Sequence, residues 1–110
     1  MLYLMNSTVM PVEGVYVCKK LKEDEVAKVF VKEAEKGWKS YVGYPQTAMY
    51  MAEKLGVDIE VNREQITELK DGDTMLVCKL KYRVSDPATK GEEVDTNMFE
   101  WYLVKFGEVK

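Results

Sequence analysis

The sequence predicts a small, single α+β domain with a mixed central sheet and flanking helices, and three observations predict it. First, 110 residues that are 46% hydrophobic and 32% charged have room for one modest core and none for a second. Second, apolar residues recur at helical spacing in two central windows, Leu21 to Ala34 and Ala48 to Leu55. Third, the short runs outside those windows are either apolar on both faces or alternate with period two, as strands do. Helices set between strands give the order β-β-α-α-β-β-loop-β, one domain spanning residues 1–110.

Leu2 to Met5 is apolar on both faces and suits a buried strand. The polar turn Asn6-Ser7-Thr8 ends it, and Pro11 with Gly14 marks a loop before a short strand at Val15 to Cys18. Leu21, Val26, Val29, Phe30 and Ala34 then line a helix that stops at Lys36, where Gly37 can take a left-handed cap. Pro45 suits the first position of the next helix; Ala48, Met51, Ala52 and Leu55 line it and Gly56 closes it. From Val57 the period becomes two. Ile59 and Val61 share a parity that Ile66 breaks, so the pattern predicts a bulge or bend at Asn62-Arg63. Lys70-Asp71-Gly72-Asp73 reads as a hairpin turn into the clearest strand. There Leu76, Cys78, Leu80, Tyr82 and Val84 point one way, and Lys79, Lys81 and Arg83 the other. Ser85 to Asn97 is a polar loop, and Met98 to Phe106 reads as a central strand or one buried at a subunit contact.

Composition narrows the chemistry. A net charge of −3 with both signs interspersed excludes a uniformly basic surface, so duplex nucleic acid is not the expected partner. Cys18 and Cys78 are far apart with no CxxC pairing, which argues against a disulfide framework or a bound metal. No apolar run is long enough to cross a bilayer and Met1 to Met5 lacks the basic region of a signal peptide, so a cytoplasmic protein with no membrane partner is expected. No glycine-rich nucleotide loop is present and no cofactor is implied. The chain has no histidine, which removes Ser/His and Cys/His pairs and the usual side chain for proton transfer near neutral pH.

Three constellations remain. The row Lys79, Lys81 and Arg83 can pair with successive phosphate oxygens, or simply be the solvated face of a sheet. The stretch Val42-Gly43-Tyr44-Pro45-Gln46-Thr47 places free N–H groups of a helix start beside a glycine and an aromatic ring, which suits an anion and a base, or an ordinary turn. Asn6-Ser7-Thr8 at a strand end can bond to sugar or base, or form a turn.

Taken together, these pieces resemble the viral type III anti-CRISPR ring nucleases. The matching segments are residues 2–11 (Leu2 to Pro11), 42–48 (Val42 to Ala48), Leu55-Gly56-Val57, Val61-Asn62-Arg63, Gly72-Asp73 and 80–86 (Leu80 to Asp86). The resemblance implies a homodimer that holds a cyclic oligoadenylate across its interface. It also implies a reaction in which a ribose 2′-hydroxyl attacks the adjacent phosphate and a histidine protonates the leaving oxygen. That histidine's position holds Tyr44 here, Arg83 matches the assisting arginine, and the assisting glutamate becomes Asp86. Asn6, Ser7, Thr8, Gly43, Tyr44, Thr47, Arg63 and Arg83 are the implied ligand-binding residues, with Tyr44, Arg83 and Asp86 the catalytic set if the chain is active. Tyr41, Tyr44 and Tyr82 can narrow the pocket or add stacking surfaces. A tyrosine, with a pKa of about 10, is a poor stand-in for imidazole. The expectation is therefore a protein that sequesters a cyclic nucleotide immune signal with little or no cleavage. The alternatives are an active ring nuclease and a non-nucleotide interaction protein on the same scaffold.

Overall fold

In the computed structural model, which describes residues 1–8, 10–80 and 99–107, the chain runs through five strands and two helices. These are β1 (Leu2–Met5), β2 (Tyr16–Leu21), α1 (Val26–Glu33), β3 (Trp38–Tyr41), α2 (Pro45–Leu55), β4 (Thr74–Leu80) and β5 (Phe99–Phe106). The sheet order is β2-β5-β4-β1-β3. β1 pairs in parallel with both β3 and β4, while β5 is antiparallel to β4 and to β2. The architecture is the expected small α+β domain, here a five-stranded mixed sheet with two helices.

Both faces of the sheet are covered around β1 and β4, whereas Val17 to Lys20 of the edge strand β2 are exposed. On the helix face, Leu2, Leu4, Leu76, Cys78 and Trp101 pack against Val26 and Phe30 of α1 and Ala48, Met51 and Leu55 of α2. On the other face, Met5, Met75, Val77 and Val104 pack under Ile66 and Leu69. Leu76, Cys78 and Leu80 share the helix face as the alternation predicts, but β4 is buried on both faces from Thr74 to Cys78, and its polar side begins only at Lys79, half-buried opposite Glu100. Tyr82, Lys81 and the rest of residues 81–98 lie outside the described residues, as does the polar loop expected there.

Four local expectations need correction. Trp38–Tyr41, which carries no strand signal of its own, is an edge strand, held by pairing with β1 and by Trp38 packing edge-on against Phe30. Leu21 belongs to β2, not to the first helix, which starts as a 3₁₀ turn at Glu23–Glu25 and ends as another at Ala34–Lys36. Gly37 follows at φ 106, ψ 158, a glycine conformation but not the left-handed helical cap that Gly56 takes at φ 72, ψ 26.

The fourth correction bears on function. Residues 57–69 do not form a strand, and Lys70 to Asp73 is not a hairpin turn, because nothing antiparallel precedes β4. Val57 and Ile59 pack on the helix face, while Ile66 and Leu69 pack on the opposite face. Between them the chain rounds the outer edge of β3, touching it through a bridge from Val61 to Val42. The break in period at Asn62-Arg63 marks this change of face. We call residues 57–73 the return segment.

A polar cluster ties the helices to the sheet. Trp101 Nε1 donates to the Tyr50 hydroxyl at 3.4 Å, which donates to Glu23 Oε1 at 3.3 Å, and Lys54 pairs with the same carboxylate. The Tyr50 ring stacks on Phe99 at a centroid distance of 4.1 Å. The Lys54 hydrogen bond holds Glu23 below its ordinary 4.5, and Glu23 lifts Lys54 above its ordinary 10.5.

Two outcomes are expected from this packing. Ile66→Ala leaves a cavity over Met75 and Val77 and should cost about 2–4 kcal/mol in denaturant unfolding, whereas Val31→Ala, at an exposed site, should stay within ~0.5 kcal/mol. The ion pair gives a pH signature. Glu23 contributes stability above its unfolded value near 4.5, lost as pH falls through the lower folded value; Lys54 contributes below 10.5, lost as pH rises through its higher one. Because the pair is partly exposed, Glu23→Gln should cost at most ~1 kcal/mol near neutral pH. In urea melts across pH, the gap between the two proteins should close as pH drops below 4.5; a gap independent of pH would remove the ion pair from the account.

Candidate functional site

Parallel strands leave their carboxyl ends side by side, and the loops that leave them in different directions open a crevice there. Met5 at the end of β1 is in register with Tyr41 at the end of β3. From Met5 the chain departs toward β2 at the far edge of the sheet, and from Tyr41 it turns into α2. A cleft of about 530 Å³ lies between these departures. Its walls are Met5, Asn6, Ser7, Met10 and Pro11 after β1, Tyr41, Gly43 and Tyr44 after β3, and Asn62 to Ile66 of the return segment.

The return segment is fastened to the outer edge of β3 by side chains as well as backbone. Asn62 donates from its backbone N to Val42 O at 2.8 Å and from Nδ2 to Ser40 O at 2.9 Å. Its Oδ1 accepts from the Glu64 N–H at 2.9 Å, and Ser40 Oγ donates to Glu60 O at 2.6 Å. These bonds occupy groups that an edge strand would leave bare, and they bring Arg63 to the cleft. Arg63 Nε donates to Gly43 O at 3.0 Å, and the Gly43 N–H donates to Asn6 Oδ1 at 3.1 Å.

Tyr44 is the N-cap of α2, in extended conformation and 59% exposed. Its C=O accepts the first helical bond from Ala48 N at 3.0 Å, but its side chain caps nothing, and Pro45 has no N–H to give. The first turn of α2 thus begins at the cleft without a side-chain cap, at the positive end of its dipole. Among the described lining residues Arg63 is the one cation and Glu64 the one carboxylate. Lys39 adds charge nearby, with Nζ 5.1 Å from the centroid of Tyr41, whose ring meets Tyr3 edge-on.

Asn6, Ser7, Gly43, Tyr44 and Arg63 are brought together at this one cleft, as is Tyr41. Thr8 is exposed and does not line it, and Thr47 is buried on α2, away from the lining. Arg83, Asp86 and Tyr82 lie outside the described residues. Sequence reasoning about the site missed Asn62, Glu64, Gln65, Ile66, Met10 and Pro11. The change of parity at Asn62 was the available signal, since an asparagine that bonds the backbone two residues on marks a turn.

Chemically, the arrangement can hold an anion at Arg63 and the start of α2 and can stack a ring on Tyr44. Thiolate chemistry is not on offer at Cys78, which is buried in the sheet with its thiol pushed up by desolvation. Cys18 is exposed, on the edge of the sheet opposite β3. No helix of the described residues is long and apolar enough to cross a membrane.

Comparison with known proteins places the chain in a family. The STIV B116-like family matches residues 2–101, which span every described strand and helix except the end of β5, and the chain belongs to that family. It is 35% identical over 66 residues to the uncharacterized protein YddF of Bacillus subtilis (strain 168), covering 60% of each chain, so it spans about 60% of the length of this relative. Among solved structures it is similar to B116 of Sulfolobus turreted icosahedral virus, with a TM-score of 0.71 at 15% identity, over 94% of this chain and 97% of that one. The namesake of the family is thus a viral protein with the same fold.

Proposed function

We propose that this member of the STIV B116-like family captures a cyclic oligonucleotide immune signal at the cleft and holds it with little or no cleavage. The observation that supports this most is Tyr44, set at the N-cap of α2 beside Arg63, in the position where the ring nucleases this sequence resembles carry their acid. Arg63 and the first turn of α2 supply a site for phosphate, and the exposed Tyr44 ring supplies a surface for a base. Groups suited to binding a nucleotide support this reading, and the chain has no histidine to serve as the proton donor suited to neutral pH.

The leaving 5′-oxygen in such a cleavage departs as a strongly basic alkoxide. A general acid at this step contributes ~10²–10⁴-fold, and a phenol is a far weaker acid than the imidazolium it replaces. The ligand class we propose is a cyclic oligoadenylate, with smaller cyclic nucleotides as the variants that Tyr41 and Tyr44 would favour by narrowing the cleft. A cleft of about 530 Å³ has the size of a site for one drug-sized molecule. A four-nucleotide ring exceeds it, so the proposal includes two copies of the chain pairing their clefts around one ligand.

Capture protects an infecting element only if it is tight. A nanomolar dissociation constant corresponds to about −12 kcal/mol, and ligand at a hundred times its Kd adds ~2.7 kcal/mol to folding stability. The second reading, an active nuclease with Tyr44 as its acid, is favoured by the same exposed side chain at the start of α2.

Incubation with cyclic tetra-adenylate at neutral pH, followed by denaturation and chromatography, should return intact ligand from the unmutated chain. Tyr44→His should gain cleavage, by ~10²–10⁴-fold if imidazole acts as it does elsewhere. Multiple-turnover cleavage that Tyr44→Phe abolishes would establish the nuclease reading instead. Absence of thermal stabilisation by any cyclic nucleotide would leave the non-nucleotide reading.

A further inference from the structure

Gly43 is bonded on both sides of its Cα by side chains from distant parts of the chain. Its N–H is held by Asn6 Oδ1 at 3.1 Å, at the end of β1, and its C=O by Arg63 Nε at 3.0 Å, on the return segment. The first bond fixes the peptide plane between Val42 and Gly43, and the second fixes the plane between Gly43 and Tyr44. Between two fixed planes a residue has no rotational freedom left, and glycine is the residue with most freedom to lose.

We propose that Asn6 and Arg63 are positioning residues, which clamp Gly43 and thereby aim Tyr44 and the first turn of α2 into the cleft before any ligand arrives. Tyr44 itself makes no capping bond at this junction, and a Cβ at Gly43 would meet only ordinary contacts, Arg63 Cγ at 3.5 Å and Asn6 Oδ1 at 3.9 Å. Arginine is suited to the double duty. Its Nε–H holds the protein while the four Nη–H donors of the same rigid fork stay available to a phosphate. Lysine carries its three donors on one nitrogen at the end of a flexible stem, so it lacks the rigid fork that holds a carbonyl and a phosphate at two fixed points. The clamp stands on the free protein; its bearing on affinity rests on the proposed function.

Amide hydrogen exchange and affinity for cyclic tetra-adenylate separate the two claims. In ligand-free protein, Asn6→Ala should speed exchange of the Gly43 N–H about five- to ten-fold, the effect of losing one net hydrogen bond. Arg63→Lys should speed exchange of that same N–H, although Arg63 does not touch it, because the planes flanking Gly43 are coupled. Asn6→Asp, which keeps an acceptor oxygen, should restore protection. If Arg63→Lys leaves the Gly43 N–H unchanged, or Asn6→Asp exchanges as fast as Asn6→Ala, the clamp is overturned. Where the unmutated chain binds the probe, Asn6→Ala should weaken it about ten-fold and Arg63→Ala, which also loses the phosphate contact, by more, while Asn6→Ala added to Arg63→Ala should cost far less than a further ten-fold. Additive losses would make the two residues separate ligand contacts and overturn their shared role. Failure of the unmutated chain to bind the probe at all would overturn the proposed function, while the exchange measurement would still decide the clamp.

Discussion

β1 is the strand on which the fold turns, because it is short, lies inside the sheet and needs partners on every side. Four residues, Leu2–Met5, pair in parallel with β3 on one edge and β4 on the other. Leu2 and Leu4 are buried against the helices, while Tyr3 and Met5 belong to the opposite face. A strand so placed leaves no polar backbone group to water, so both faces must be covered by other parts of the chain. The helices cover one. With no third helix among the described residues, the other falls to the return segment, which must pass around the edge of β3 to reach it.

That detour creates the site. Asn62 and Ser40 fasten the segment where it rounds the edge, and the next residue, Arg63, arrives at the carboxyl ends of β1 and β3. The covering of a core face and the delivery of a cation to the cleft are therefore one structural event. Ile66, three residues on, is buried on the sheet, which ties the position of Arg63 to a hydrophobic anchor. The polar groups of the cleft thus sit on a packed scaffold and not on free loops. Preorganised donors of this kind suit the capture of a charged ligand, since little ordering cost remains to be met on binding.

Much of this was legible in the sequence where local pattern and final environment agree. Pro45 and Gly56 bracket α2 as their chemistry demands, and the apolar character of Leu2–Met5 and of Phe99–Phe106 matches strands buried in the sheet. β3 was not legible, because Trp38-Lys39-Ser40-Tyr41 mixes polar and apolar residues and is made a strand by distant partners. The return segment misled for a related reason. Ile59, Val61 and Ile66 are spaced like a faulty strand, yet Ile59 packs on the helix face, Ile66 on the opposite one, and Val61 is exposed at its bridge to Val42. For the site, the turn residues Asn6, Ser7 and Gly43 and the helix start at Tyr44 could be read locally, whereas their convergence with Asn62 and Arg63 depends on topology. Thr47 shows the limit of residue type as a guide: its hydroxyl suited a ligand, but its place on α2 buries it.

The central claim, that this cleft captures a cyclic nucleotide, is tested most directly by mapping backbone amide shifts while cyclic tetra-adenylate is added to the isotopically labelled protein. The largest shifts are expected at Asn6, Ser7, Gly43, Tyr44 and Asn62 to Ile66, which wall the cleft. Shifts centred on the edge strand β2, or none at all at saturating ligand, would contradict it.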